Sequence, residues 1–253
     1  MLDVDVVKAI IEDIVRSCSS RFNVDFRLPI PISCSDVSDP LWYSLVKTNP
    51  WHVHPKSLLS TARSVIVYAV PLSLKAIESN IEGEEPSLQW LKEYLLANKA
   101  IEESSGEVVE ILRKEGFKSI AIKPTGEYDK KLLRAKWSHR HAGYITGLGT
   151  FGSHNLLITS MGCCVRLGTV ITEAPVERTE KPNMEYCLER RGVECHKCIE
   201  RCPIRALDDW SYGKYRCNDR LTSIAIKHKE LLSGYADACG KCSVGLPCST
   251  RIP

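Results

Sequence analysis

Residues 64–71 read SVIVYAVP, a serine followed by β-branched and small apolar residues from Val65 to Val70, closed by Pro71. Such a run has no polar face, so it predicts a strand over Ser64 to Val70 that is buried on both sides and stopped by Pro71. HPKSLLSTAR before it reads as a short helical approach. Further upstream, RLPIPISCSDVSDP reads as an extended connection, because its prolines forbid a helix of any length. At the N-terminal side, Val7, Ile10, Ile11, Ile14, Val15 and Cys18 recur on one helix face, with Asp3 placed to cap it. Downstream, residues 72–87 read as a polar loop. Helices are predicted around Leu88 to Leu96 and Ile101 to Lys114, with Gly116 as the stop before a strand over Ser119 to Ile122. Another helix is expected over Lys130 to Ile145, then β-rich runs at 155–159 and 165–172. Helices alternating with strands make the fold class α/β (α+β).

The 253 residues suit one large domain or a core with a small appendage. A formal charge of +3 is too small for a basic nucleic-acid footprint. The N-terminal stretch shows neither a basic leader nor a small-residue cleavage site, and apolar runs are much shorter than the ~20 residues of a membrane span. A cytoplasmic location is therefore expected.

Composition changes near Thr179. Residues 180–253 hold eight of the twelve cysteines and few apolar runs, so a core there needs another staple. The spacings are Cys187-x7-Cys195-x2-Cys198-x3-Cys202-Pro203 and Cys217-x21-Cys239-x2-Cys242-x5-Cys248. In two-cluster ferredoxins, a C-x2-C-x2-C-x3-C-P run gives three thiolates to one 4Fe-4S cube, and its fourth crosses to the other. The same crossover assigns Cys187, Cys195, Cys198 and Cys248 to one cluster and Cys202, Cys217, Cys239 and Cys242 to the second. Structural zinc also uses C-x2-C pairs but not the C-x3-C-P continuation, and disulfides lack the secretory context they need. Cys18 and Cys34 read as buried apolar fillers. For the vicinal pair Cys163 and Cys164, packing is the simpler reading and a redox or substrate-facing role the alternative.

Gly147-Leu148-Gly149-Thr150-Phe151-Gly152 matches G-x-G-x-x-G but follows a helix and leads into a strand, the reverse of a dinucleotide-binding turn. Its glycines suit a loop against a large flat ligand. SHRHAGYITGLGTFGSHNLLIT, VRLGTVITEAP and CHKCIERCP together resemble epoxyqueuosine reductase and, more distantly, the corrinoid reductive dehalogenases. HPKSLLSTARSVIVYAVPLS resembles that family's first strand region, so the likeness covers most of residues 55–250.

The resemblance implies a nitroreductase-like, cobalamin-binding reductase domain over residues 1–179 and a ferredoxin-like double 4Fe-4S module over 180–253. The modules would pass low-potential electrons to cobalt and on to an unidentified substrate. Gly147, Gly149, Gly152, Asn155 and Arg166 fall at its cofactor loop and strand. The family's proton-donating aspartate has its nearest counterpart in Asp129, although the spacing to Gly147 is longer by about one helical turn. Tyr128 is the alternative donor, since the dehalogenase relatives use a tyrosine. A ferredoxin or flavodoxin is the implied electron donor, and a homodimer is compatible. The chain ends at Pro253, so it is expected to be a short form without the family's helical-repeat extension. That leaves tRNA as a substrate without support from composition. A ferredoxin-like electron carrier, or a reductive activator of a partner corrinoid protein, stands as the alternative, and flavin could replace cobalamin.

His139, His141 and His154 flank the glycine loop, and His52 and His54 form H-x-H, but none completes a zinc pattern. They read as packing or surface histidines. Lys130, Lys131, Arg134, Lys136 and Arg140 around Trp137 read as a solvated helix face, with an anionic substrate as the sharper alternative.

Overall fold

The computed structural model describes residues 3–124, 128–208 and 213–253. Helix α1 (Val4–Phe22) starts where Asp3 accepts the Asp5 N–H at 2.8 Å, a cap that contributes about 1 kcal/mol. It buries Val7, Ile11, Val15 and Cys18, while Ile10 and Ile14 pack at the margin. Strand β1 (Ile32–Asp36) lies within the stretch expected to be an extended connection. Helices α2 (Pro40–Thr48) and α3 (Pro55–Leu58) follow, each opening on a proline behind a capping side chain, Asp39 and His54.

Strand β2 (Ser64–Pro71) is buried along its whole length. It runs through Pro71 instead of stopping before it. Pro71 still pairs in register with Val165, and its carbonyl accepts the Arg27 N–H at 3.0 Å, so the ring costs the strand only a donor. Helix α4 (Leu74–Ser79) occupies part of the segment expected to be loop, because Ser73 caps it through the Ala76 N–H. Helix α5 (Leu88–Lys114) is one continuous helix where two were expected. Ala97, Ala100, Ile101 and Ser104 carry its buried stripe across the supposed break, where no glycine or proline intervenes.

Strand β3 (Ser119–Ile122) comes next. The helix expected from Lys130 is absent. In its place stand β4 (Tyr128–Asp129) and β5 (Arg134–Ala135), an antiparallel pair turned through Leu133 at φ +48°, and only then α6 (His139–Thr146), capped by Ser138. The basic residues there lack an apolar stripe, so nothing favours a helix before Ser138. A short ribbon of β6 (Gly149–Phe151) and β7 (Leu157–Thr159) leads to β8 (Val165–Thr172). The C-terminal part adds α7 (Lys197–Glu200) and α8 (Lys214–Leu232).

The main sheet has the order β1-β2-β8-β3 and is antiparallel at every pairing. Ile66, Tyr68 and Val70 face the core built with α1 and α5, and Val65, Val67 and Ala69 face Trp42, Ala142 and Ile145. Period-two alternation thus buries both faces of β2. Ile224, Ala236, Ala238 and Val244 join the α1–α5 core, so the cysteine-rich part packs into the same interior. Strand β2 pairs with all of residues 165–172 of β8, whereas β3 pairs only with 169–172. Among the described residues, the β8 edge at 165–168 therefore has no strand neighbour on the β3 side. No helix among them is long and apolar enough to cross a membrane.

Candidate functional site

The structure places Cys187, Cys195, Cys198 and Cys248 around one cavity, and Cys202, Cys217 and Cys239 close enough to Cys242 to act on it. Burial pushes the Cys198 thiol up to about 12, and Cys248, Cys187 and Cys195 act on it in the same direction. Those four line one cavity together with Ser153 and His154. Burial likewise raises Cys242, followed in effect by Cys239, Cys217 and Cys202 and, least, by Cys198. Neighbouring thiols and burial together keep Cys198 and Cys242 protonated in the absence of positive charge, and a cation placed among the thiols would reverse that.

Each set is held by the rest of the chain. Cys163 N–H donates to the Cys248 carbonyl at 2.8 Å, and Cys164 N–H to that of Ser249 at 3.0 Å. For the second set, Asn80 Nδ2 donates to the Cys239 carbonyl at 3.0 Å. Lys241 Nζ returns to the carbonyls of Asn80 and Glu82 at 2.9 and 2.7 Å. Lys241 is 2% exposed, and burial lowers its pKa. Arg220 Nε donates to Cys239 Sγ at 3.3 Å and the Ala206 N–H to Cys202 Sγ at 3.2 Å.

Cys163 and Cys164 are both buried and direct their thiols at the Ser243 carbonyl. His154, Cys163 and Cys248 have donor atoms within 4.8 Å of one another. The Cys163 thiol, more than His154, lowers the pKa of Cys248, while Cys163 is raised first by Cys164 and then by Cys248. Cys18 and Cys34 are buried; burial takes the Cys34 thiol up to about 12.

Arg166 and Tyr128 belong to a second polar assembly. Arg166 Nε donates to Asn98 Oδ1 at 2.9 Å, and its guanidinium lies 4.4 Å from the Tyr94 ring centroid. The Tyr94 hydroxyl donates to Asp237 Oδ1 at 2.7 Å. Tyr128 is raised by burial first and then by Asp237 and Tyr235, so Asp237 acts on both Tyr94 and Tyr128. Asp237 lies two residues before Cys239, next to the second set of thiols. Asp129, beside Tyr128, turns the hairpin by accepting the Lys131 and Leu132 N–H groups, both at 2.8 Å. Arg166 sits in the part of β8 that has no strand neighbour on the β3 side among the described residues. Asn98, Tyr94 and Asp237 were missed because each is an ordinary polar residue in its segment, and only the proximity of Asp237 to Cys239 could have drawn notice.

The three loop glycines are crowded by the chain itself. A Cβ on Gly147, which has φ +87°, would lie 2.9 Å from the Glu180 carbonyl oxygen, and one on Gly149 would lie 2.0 Å from that of Ile158. Gly152 faces the His154 ring. Asn155 takes a left-handed turn position, φ +59°, and its carbonyl accepts from Arg140. The histidines pack as expected: His139 bridges Thr169 Oγ1 and the Lys123 carbonyl at 2.7 and 2.9 Å, while the His141 ring meets His52 and Phe151. Of the basic segment, Arg134 lies over Trp51, and Trp137 stacks on Trp42.

No family model matches the chain. Over 133 residues, 51% of this chain and 36% of the relative, it is 29% identical to the epoxyqueuosine reductase of Prochlorococcus marinus strain NATL2A. The chain is similar in sequence to an epoxyqueuosine reductase over about half of its length. The alignment spans about a third of that relative's length. In fold, the chain is similar to a Bacillus subtilis epoxyqueuosine reductase whose aspartate-bearing catalytic loop is swung out of the active site. That match has TM-score 0.56 and 17% identity, over 96% of this chain and 66% of that one. It is also similar to a reductive dehalogenase described with a mechanism for B12-dependent dehalogenation, with TM-score 0.56 and 14% identity over 90% of this chain and 30% of that one. The chain thus shares a mixed α/β fold with both of these proteins.

Proposed function

We propose that this chain is an iron-sulfur oxidoreductase of the epoxyqueuosine-reductase type. Residues 1–179 would form a nitroreductase-like, cobalamin-binding domain and residues 180–253 a ferredoxin-like module with two 4Fe-4S clusters. The observation that supports this reading is the gathering of Cys187, Cys195, Cys198 and Cys248 around one cavity, with Cys202, Cys217 and Cys239 near Cys242, eight thiols in all. That number satisfies two cubes with none left over. Cys187, Cys195, Cys198 and Cys248 would hold one cluster, and Cys202, Cys217, Cys239 and Cys242 the other.

Support for cobalamin comes from the β8 edge at 165–168, which has no strand neighbour on the β3 side among the described residues and where Arg166 is fixed by Asn98 and Tyr94. Main-chain groups and a guanidinium there fit a ligand rich in amides and carrying a phosphate. When bound, cobalamin would supply a cobalt centre open to low-potential reduction. Arg166 would orient the ligand. Tyr128 and Asp129, on the hairpin beside Asp237, would hold the proton that reduction of a substrate consumes. Electrons would come from a ferredoxin or flavodoxin in the cytoplasm.

Anaerobic reconstitution followed by cobalamin titration tests the proposal. About eight irons per chain, with cobalamin uptake and a change in the cobalt spectrum on reduction, are expected. Iron without cobalamin uptake overturns the cobalamin assignment in favour of an electron carrier or an activator of a partner corrinoid protein. A yellow chromophore overturns it in favour of flavin.

A further inference from the structure

We propose that His154 donates an N–H···S hydrogen bond to Cys248 and so sets the reduction potential of the metal centre held by Cys187, Cys195, Cys198 and Cys248. The inference rests on the cluster reading above.

The turn between β6 and β7 closes on itself: the Gly152 N–H donates to the Leu156 carbonyl and the Asn155 N–H to the Gly152 carbonyl, both at 2.9 Å. Inside it, the Leu156 N–H donates to His154 Nδ1 at 3.1 Å. An Nδ1 that accepts a hydrogen bond carries no proton, so the neutral ring keeps its proton on Nε2. That atom lies 3.7 Å from Cys248 Sγ. His154 is 3% exposed, so water does not compete for the bond. The preceding residue acts on the same set, with Ser153 Oγ 3.6 Å from Cys187 Sγ. Two consecutive residues of one turn thus address two of the four thiols.

This geometry also accounts for the last glycine of GLGTFG. A Cβ on Gly152 would lie 2.4 Å from His154 Cε1 and 2.8 Å from Nδ1. Gly152 is therefore what lets the imidazole fold back against its own turn.

The sign of the effect follows from charge. Reduction adds an electron to the cluster, and an N–H dipole aimed at a ligand sulfur stabilises that negative charge more than the oxidised state. The bond raises the potential, and removing it lowers it.

EPR-monitored redox titration of the reconstituted full chain, with iron counted in each sample, tests the inference. In His154→Leu and in Gly152→Ala, one cluster is expected to become harder to reduce by about tenfold in its reduced-to-oxidised ratio, equivalent to about 59 mV for one electron. The other cluster should not move, and the double variant should add nothing. An unmoved midpoint in His154→Leu with its irons retained overturns the hydrogen bond. An additive fall in the double variant overturns the role of Gly152. Should His154→Leu shed iron, His154→Gln carries the test: its amide N–H should keep most of the wild-type midpoint, and a fall equal to that of Gly152→Ala overturns the proposal. Wild-type protein without any 4Fe-4S signal would instead overturn the cluster reading itself.

Discussion

Arg27 Nη1 donates to the carbonyl of Thr250 at 3.1 Å, tying the start of the chain to a residue two positions past Cys248. The same guanidinium donates to the carbonyls of Leu72 and Met161, at 2.7 and 3.1 Å. Arg27→Met keeps the apolar stem and removes all three charged donors. It should cost about 3 kcal/mol in urea denaturation, since bonds to charged groups are worth more than neutral ones and carbonyls are left unpaired. A loss within the scatter of surface variants would show that the clamp is idle.

Gly240 predicts a selective loss of metal. It adopts φ +71°, and a Cβ there would meet the Trp90 ring at 2.2 Å. Gly240→Ala must lift the Cys239–Cys242 turn from α5. Bound iron should fall from about eight to about four atoms while helical circular dichroism is unchanged. A full iron complement would mean that the turn tolerates the shift.

Ligand sharing gives a stricter test of the two sets. Cys198→Ser and Cys248→Ser should each remove about half the iron, and the double variant no more than either alone. Cys198→Ser combined with Cys242→Ser should remove nearly all. A Cys198→Ser protein that keeps every iron would break the assignment.

The hairpin separates two proton donors. Asp129→Asn retains the oxygen that accepts from Lys131 and Leu132, so the turn and the melting temperature should hold. Once a substrate is found by screening the reconstituted protein, its turnover should drop by about 10²-fold or more if Asp129 supplies the proton. Tyr128→Phe should show that drop instead if the phenol does. Unchanged rates in both variants would remove the hairpin from the chemistry.

Acid sensitivity is expected from two buried imidazoles. Burial lowers both His139 and His141 to about 4, against about 6.5 in the unfolded chain. The unfolded state then binds protons that the folded state refuses, so stability is fully present above about 6.5 and falls as pH drops toward 4. Denaturation midpoints between pH 7 and 5 should decline, and His139→Gln should flatten the decline by about one proton's worth. An identical slope in that variant would place the acid sensitivity elsewhere.

Much of this architecture is legible in sequence where a local pattern acts alone. The apolar run of β2, the face of α1 with its Asp3 cap, and the strands at 119–122 and 165–172 follow from periodicity and punctuation. The segment around residues 130–137 is not, because its hairpin depends on an aspartate turn and a left-handed Leu133, which a count of basic residues cannot detect. Cysteine spacing points to Cys187, Cys195, Cys198 and Cys248 as neighbours through the C-x3-C-P crossover pattern, and those four line one cavity. Tyr94, Asn98 and Asp237 meet only through α5 and the segment after α8, and no spacing encodes that approach. The glycine loop was legible as a constraint but not in kind, for its tight contacts are with Glu180, Ile158 and His154.

The pairing of residues 163 and 164 with 248 and 249 also orders events during synthesis. Cys187, Cys195 and Cys198 leave the ribosome well before Cys248, whose seat is a stretch of chain already made. Until that late segment docks, the first cavity lacks a wall and a thiol. On the cluster reading, metal delivered early would meet an incomplete, solvent-open site, and complete ligation would follow only once residues 163 and 164 have paired with 248 and 249.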